Sequence, residues 1–138
     1  MRAALEPRIL ILCPLAREWS FLVNTFEASL HVERLHDLKI EAGYIPGWRA
    51  LVAPGGHGKT QFAVQAQYLI GRFPAVRLLI CAGAAGSLAS ELSVGDVVVG
   101  TETVEHDYRL LFGTRPLPRF PGHGPSIDAL RRLAHSIN

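Results

Sequence analysis

Cysteine is scarce in this sequence, and its two cysteines are poorly placed for redox chemistry. Cys13 and Cys81 lie far apart in the chain, and neither belongs to a C-x-x-C motif, which argues against a thiol redox pair. Each ends a short apolar run that is typical of a buried strand. We therefore expect two free, buried thiols, as is usual in a reducing cytoplasm, rather than a disulfide.

Long hydrophobic runs and one-sided charge are also absent. No apolar stretch reaches the roughly 18–20 residues of a membrane span, and residues 1–7 lack the apolar core and cleavage site of a signal peptide. The formal net charge is only +2 and the basic residues are scattered, which disfavours nucleic acid as a partner. We therefore expect a soluble, cytoplasmic protein without membrane or nucleic-acid partners, and we assign it no metal ion and no cofactor.

The residues that are present are those of an ordinary globular protein. Hydrophobic residues make up 49% of the chain and charged residues 19%, a balance that allows a buried core and disfavours disorder. The length of 138 residues fits one domain, which we predict to comprise residues 1–138.

Short apolar runs alternate with amphipathic segments along the chain. The runs predict buried strands, and apolar residues at helical spacing predict helices that pack on them. The predicted strands are 8–13, 50–53, 76–81 and 97–104, with an antiparallel excursion at 31–48; the predicted helices are 17–29, 59–72 and 127–136, the last capped by Ser126; residues 114–125 are predicted as loop. This order is typical of an α/β fold with a mixed, mainly parallel central sheet flanked by helices.

Ligands of such sheets bind beyond the carboxyl ends of the strands, where we expect residues 14–18, 54–59 and 82–87. The second segment ends in Gly58-Lys59-Thr60, as a P-loop does. However, Ala53 stands where the first P-loop glycine belongs, and the neighbouring strand ends in cysteine rather than in an acid that could hold magnesium. A P-loop-like nucleotide binder is therefore a minor alternative to a tight turn between strand and helix.

Four blocks of sequence, taken together, resemble the nucleoside phosphorylase/nucleosidase family, and most closely its 5′-methylthioadenosine/S-adenosylhomocysteine nucleosidases. The most specific feature is a small-residue turn followed by Val-Gly-Asp-Val-Val at residues 94–98. The blocks occur in the family's order and cover nearly the whole chain. They are ILILCPLAREWSFL (9–22), GGHGKTQFAVQAQYLI (55–70), LLICAGAAGSLASELSVGDVVVGTE (78–102) and EHD (105–107).

The resemblance implies a small-molecule purine nucleoside as substrate and cleavage of its N-glycosidic bond through a transition state similar to an oxocarbenium ion. Glu18 matches the glutamate that activates water in the nucleosidases. Family homodimers donate an aromatic residue and a proline to the neighbouring subunit's pocket; Phe112 and Pro121 lie at about those positions, so we expect a homodimer. The residues that match the nucleoside pocket, His57 as lining only, are Leu15, His57, Ala84, Ala85, Gly86 and Leu110.

Two departures from the family pattern affect the expected activity. Ala84 replaces a serine that in the nucleosidases usually helps to bind the sugar and the nucleophile. The family's ribose-binding glutamate and purine-protonating aspartate lie in later segments, and Asp128 does not qualify because its helix carries no family motif. The sequence ends at Asn138, short of the family's usual length, so we expect the fold to be incomplete at its C-terminal end and the catalytic acid to lie outside this sequence.

The same positions leave alternatives open. Cys81 and Ala84 match an arginine and a serine around the phosphate of the bacterial hexameric phosphorylases, and they offer neither charge nor hydroxyl. Hydrolysis is therefore favoured over phosphorolysis, with a purine nucleoside phosphorylase or a non-catalytic nucleoside-binding fragment as alternatives. The 5′ substituent stays open between methylthioadenosine, S-adenosylhomocysteine, futalosine and a larger adenosyl-lipid.

Overall fold

The computed structural model describes residues 6–26, 31–35, 39–108 and 113–137. The chain divides into two compact units, residues 1–86 and residues 87–138. That residues 1–138 act as one domain stays a prediction. Among the described residues, no helix combines the length and the apolar character needed to cross a membrane.

The first unit is built on a five-stranded sheet with the order β2-β3-β4-β1-β5. One helix follows β1 and another follows β4, and a single 3₁₀ turn, Pro46–Trp48, joins β3 to β4. The elements are β1 (Ile9–Cys13), α1 (Ala16–Thr25), β2 (His31–Leu35), β3 (Ile40–Ile45), β4 (Ala50–Pro54), α2 (Gly58–Arg72) and β5 (Leu78–Cys81).

The central strand β1 sets the direction of the sheet. It pairs in parallel with β4 on one side and with β5 on the other, so that Leu12 is level with both Ala53 and Cys81. Strand β3 is antiparallel to β4, and β2 is antiparallel to β3. The predicted mixed sheet flanked by helices and the predicted antiparallel excursion at 31–48 are therefore confirmed.

The two helices of the first unit cover opposite faces of the sheet. Leu10 and Leu12 of β1 are fully buried on the face of α2, where Leu69 packs beside them. Alternate residues of β1 point to the other face, where Cys13 lies in a cluster with Trp19 of α1. This alternation follows from the two-residue period of a strand, and it explains why β1 is apolar at every position.

Strand β5 differs from the prediction of a third buried strand. Cys81 is exposed rather than buried, and Ile80 is also exposed. The reason is topological: among the described residues β5 pairs with β1 alone, which makes it the edge of the sheet. An apolar run does not reveal whether its strand lies at the centre or at the edge. The prediction of a free, buried thiol is confirmed for Cys13.

The second unit contains a two-stranded antiparallel sheet and one helix. Strand β6 (Glu102–Val104) pairs with β7 (Arg119–Pro121), and α3 spans Gly124–Ile137. The predicted strand 97–104 was too long, because the described chain offers residues 97–101 no strand as a partner. The predicted loop 114–125 was wrong at β7, whose pairing with β6 could not be read from a segment that is rich in proline.

The predicted cap of the last helix was also wrong. Helix α3 begins at Gly124, two residues before Ser126. The carbonyl of His123 accepts the N–H groups of Ser126 and Ile127, at 3.1 Å each. The Ser126 hydroxyl lies 2.8 Å from Nδ1 of His123, so Ser126 interacts with the residue before the helix instead of capping it.

Candidate active site

The three parallel strands end side by side, and their turns come together at the carboxyl edge of the sheet. The N–H of Gly55, after β4, donates to the carbonyl of Cys13 at 2.6 Å, and the N–H of Ala82, after β5, donates to the carbonyl of Leu12 at 2.9 Å. Both turns are therefore tied to the end of β1. The three segments expected to meet at this edge therefore lie close together where they leave their strands, at Pro14, Gly55 and Ala82.

Glu18 is held by two of these turns at once. It lies in the first turn of α1, and its Oε2 accepts the N–H of Leu15, the residue before the helix, at 2.8 Å. Its Oε1 accepts the N–H of Ala84, from the turn after β5, also at 2.8 Å. Charged acceptors make the stronger hydrogen bonds of proteins. The two bonds, one to each oxygen, fix the orientation of the carboxylate.

Gly83 permits the approach of the turn after β5 to Glu18. A Cβ at this position would lie 3.1 Å from Oε1 and 3.2 Å from Oε2 of Glu18, and 3.1 Å from Cδ of Pro14. These distances are shorter than ordinary van der Waals contact between such atoms, so any side chain would displace the carboxylate or the proline. Sequence reasoning did not single out Gly83; the run of small residues 82–86 was the available signal.

The Glu18 carboxylate contributes to the raised pKa of both cysteine thiols. Burial raises the pKa of Cys13 to about 11, and the Glu18 carboxylate and then Cys81 add to the rise. The pKa of Cys81 is also raised, first by the atoms that desolvate its thiol and then by Glu18, although part of the residue is accessible. Both thiols are therefore protonated at neutral pH and are poor nucleophiles. The carboxylate of Glu18 is therefore the candidate catalytic group at this edge of the sheet.

The glycine-rich turn between β4 and α2 is the third segment at the carboxyl edge of the sheet, beside those that follow β1 and β5. Gly56 and Gly58 have φ values of +89° and +78°, a conformation that favours glycine. The N–H of His57 donates to Oε1 of Gln61 at 3.0 Å, so in this conformation it is already occupied and does not face a phosphate. His57 itself is exposed at the start of α2, where its proposed contact with a substrate stays a prediction.

The remaining predicted residues lie in different places. Leu15 is adjacent to Glu18 and 43% exposed, and Ala85 and Gly86 are exposed in the turn after β5. Leu110 and Phe112 lie outside the described residues, and Pro121 ends β7 in the second unit. Their roles in the pocket stay predictions. In the described part of the chain, no group of three or more histidine, cysteine, aspartate or glutamate side chains could hold a metal ion.

Comparisons with known proteins place the chain in a family. The sequence profile of the phosphorylase superfamily matches residues 8–136. The 5′-methylthioadenosine/S-adenosylhomocysteine nucleosidase of Mycobacterium bovis is 29% identical over 128 residues, which are 93% of this chain and 49% of that protein. The chain therefore spans about half the length of this curated relative.

Solved structures show the same likeness. The nucleosidase of Neisseria meningitidis in complex with methylthio-immucillin-A superposes with a TM-score of 0.73 at 30% identity, over 94% of this chain and 58% of that chain. A mutant nucleosidase of Helicobacter pylori with 5′-methylthioadenosine in its active site gives a TM-score of 0.79 at 23% identity, over 94% of this chain and 59% of that chain. At the lower identity the likeness concerns the fold alone.

Proposed function

The chain belongs to the phosphorylase superfamily, and on this basis we propose that the whole protein hydrolyses the N-glycosidic bond of a purine nucleoside. The proposed substrate class is a 5′-substituted adenosine or futalosine. The relatives support this choice, because those from Mycobacterium bovis and Neisseria meningitidis are both 5′-methylthioadenosine/S-adenosylhomocysteine nucleosidases.

One observation carries the proposal: a carboxylate is fixed at the carboxyl edge of the parallel strands, where ligands of such sheets bind. Glu18 receives one backbone N–H from Leu15 and one from Ala84, each at 2.8 Å. A carboxylate has about four lone-pair sites. Two backbone donors therefore leave it able to accept a hydrogen bond from a water molecule.

The proposed chemistry requires such a group. As the bond to the purine lengthens, positive charge develops on the ribose ring, and water attacks the anomeric carbon. The carboxylate of Glu18 accepts a proton from that water as a general base. In the family that the sequence resembles, the group that protonates the departing purine lies in a later segment.

Two further parts of the proposal concern assembly and location. We expect a homodimer in which Phe112 and Pro121 reach the neighbouring subunit's 5′ pocket, and sedimentation or light scattering would measure its mass. The cytoplasmic location stays a prediction from the sequence.

The test is the release of adenine from 5′-methylthioadenosine, with and without phosphate. It compares wild type, Glu18→Gln and the control Glu41→Gln, which changes an exposed glutamate of β3. It uses both the 138-residue chain and the product of the full reading frame that contains it. Loss of a positioned general base lowers rates by about 10²–10⁴-fold, so we expect a loss of that size in Glu18→Gln and none in Glu41→Gln.

Each contrary outcome has its own meaning. Strict dependence on phosphate would replace hydrolysis by phosphorolysis. Full activity in Glu18→Gln would remove Glu18 from the mechanism. Nucleoside binding without turnover by the full reading-frame product would support the alternative of a non-catalytic binding protein.

A further inference from the structure

The bond between Ala84 and Glu18 joins two segments that are 66 positions apart in the chain. It is made by a backbone N–H, so it does not depend on the side chain at position 84. The replacement of the family's serine by Ala84 therefore removes a hydroxyl from the site but leaves this contact with the carboxylate in place.

Both partners of this bond are anchored to the same sheet. The turn after β5 is tied to β1 by the bond from the N–H of Ala82 to the carbonyl of Leu12, at 2.9 Å. Helix α1 is tied to β4 by Trp19, whose Nε1–H donates to the carbonyl of Val52 at 3.1 Å. The distance between the turn and the carboxylate is consequently set by the sheet, and Gly83 is the residue that allows it to be short.

We propose that Gly83 and the backbone amide of Ala84 are a positioning element for the Glu18 carboxylate, an inference that rests on the proposed role of Glu18 as the base. The missing side chain at Gly83 lets the Ala84 N–H reach Oε1, while the Leu15 N–H holds Oε2. With both oxygens fixed from different turns, the carboxylate presents a constant direction to the water that it activates. Misplacing a reacting group by about 1 Å can lower a rate by about 100-fold.

The distances around Gly83 identify a variant that tests the proposal. In Gly83→Ala the new methyl group would lie 3.1 Å and 3.2 Å from the carboxylate oxygens, so the carboxylate must move by a few tenths of an ångström. Gly47→Ala is the matched control, because a Cβ at Gly47 would meet no atom within 4 Å. Both variants add the same methyl group to the same unit.

The first experiment follows backbone amide protons by NMR and does not require turnover. An amide that donates to a carboxylate changes its proton shift when that carboxylate ionises. Glu18 contributes to the raised pKa values of the Cys13 and Cys81 thiols, so these two thiols ionise only in the alkaline range.

In wild type we expect the amide protons of Leu15 and Ala84 to titrate together with one midpoint, and Glu18→Gln to abolish both titrations. In Gly83→Ala we expect the amplitude at Ala84 to fall at least about twofold while that at Leu15 persists, and in Gly47→Ala we expect both to remain. An Ala84 amide that does not titrate in wild type, or that titrates unchanged in Gly83→Ala, overturns the proposal. If Gly83→Ala does not fold, the comparison of wild type with Glu18→Gln decides.

The second experiment measures kinetics in whichever form of the protein releases adenine. We expect Gly83→Ala to lower kcat at least about tenfold and to leave KM within about twofold. An equal loss in Gly47→Ala, or an effect on KM alone, overturns the positioning role. If the amides titrate as expected but no nucleoside is cleaved, the proposed function fails and the positioning of Glu18 by the Ala84 amide stands. If Glu18→Gln loses activity but the Ala84 amide does not titrate, the proposed function stands and the positioning role fails.

Discussion

The two units of this chain differ in how much of their apolar surface they cover. In the first unit, Leu10, Leu12 and Leu51 are fully buried, and helices lie on both faces of the sheet. In the second unit no described side chain is buried, and Val94 and Val97 are among its exposed apolar residues. The Glu18 carboxylate and the two N–H groups that hold it, from Leu15 and Ala84, all lie in the first unit. A site that needs fixed distances is thus built on the unit that has its own core.

The largest expected effect tests this difference directly. Leu12→Ala removes a fully buried side chain from the core of the first unit, and such changes lower the free energy of unfolding by about 2–5 kcal/mol. Leu130→Ala makes the same change on α3, at a side chain that is 44% exposed, and we expect a change within about 0.5 kcal/mol. Urea unfolding followed by circular dichroism measures both.

Equal losses in the two leucine variants would contradict the comparison, because they would show that the second unit contributes as much to stability as the first. A large loss in Leu130→Ala alone would reverse it. The expected ranking follows mainly from burial, since the two substitutions remove the same atoms.

A smaller effect is expected at the helix that carries Glu18. Trp19→Phe removes the Nε1–H that donates to the carbonyl of Val52, and the loss of one hydrogen bond lowers stability by about 0.5–1.5 kcal/mol. Trp48→Phe is the control, because Trp48 is 54% exposed and makes an edge contact with Phe26 that a phenyl ring can retain. The measurement is again urea unfolding, and a larger loss in Trp48→Phe would show that Trp19 does not anchor α1.

Much of the first unit could be predicted because its signals are local. The apolar run of β1 and the helical spacing after it depend on neighbours in the chain, and the parallel pairing places the segments that follow β1 and β5 at one edge. The exposure of Cys81 could not be predicted, because the position of β5 at the edge depends on which strands pair with it. Strand β7 was missed for the same reason: its pairing with β6 is not local, and its proline-rich sequence suggests a loop.

The candidate site shows the same difference between local features, which could be predicted, and non-local contacts, which could not. Glu18 was identified by its resemblance to a family motif. Its bond to Ala84 joins a side chain of α1 to the backbone of the turn after β5, so the residue type at position 84 does not reveal it. The importance of Gly83 becomes visible only when the space around it is measured. Sequence patterns therefore identified the reacting group but not the backbone groups that hold it.

The smallest expected effect is a loss of stability at alkaline pH, and it depends on Cys13, the last residue of β1. The pKa of Cys13 is raised from 9.0 to about 11 by burial first and then by the Glu18 carboxylate. A thiol whose pKa is higher in the folded state stabilises the fold fully below the unfolded value of 9.0, and this contribution is lost as the pH rises through about 11. We therefore expect wild type to lose stability between these values in urea unfolding at stepped pH, and Cys13→Ala to lose less. Glu18→Gln should also lose less, because removing the carboxylate lowers the pKa of Cys13 toward its unfolded value. Identical alkaline curves for wild type and both variants would show that the thiol and the carboxylate do not interact, and would weaken the position assigned to Glu18 in the first unit.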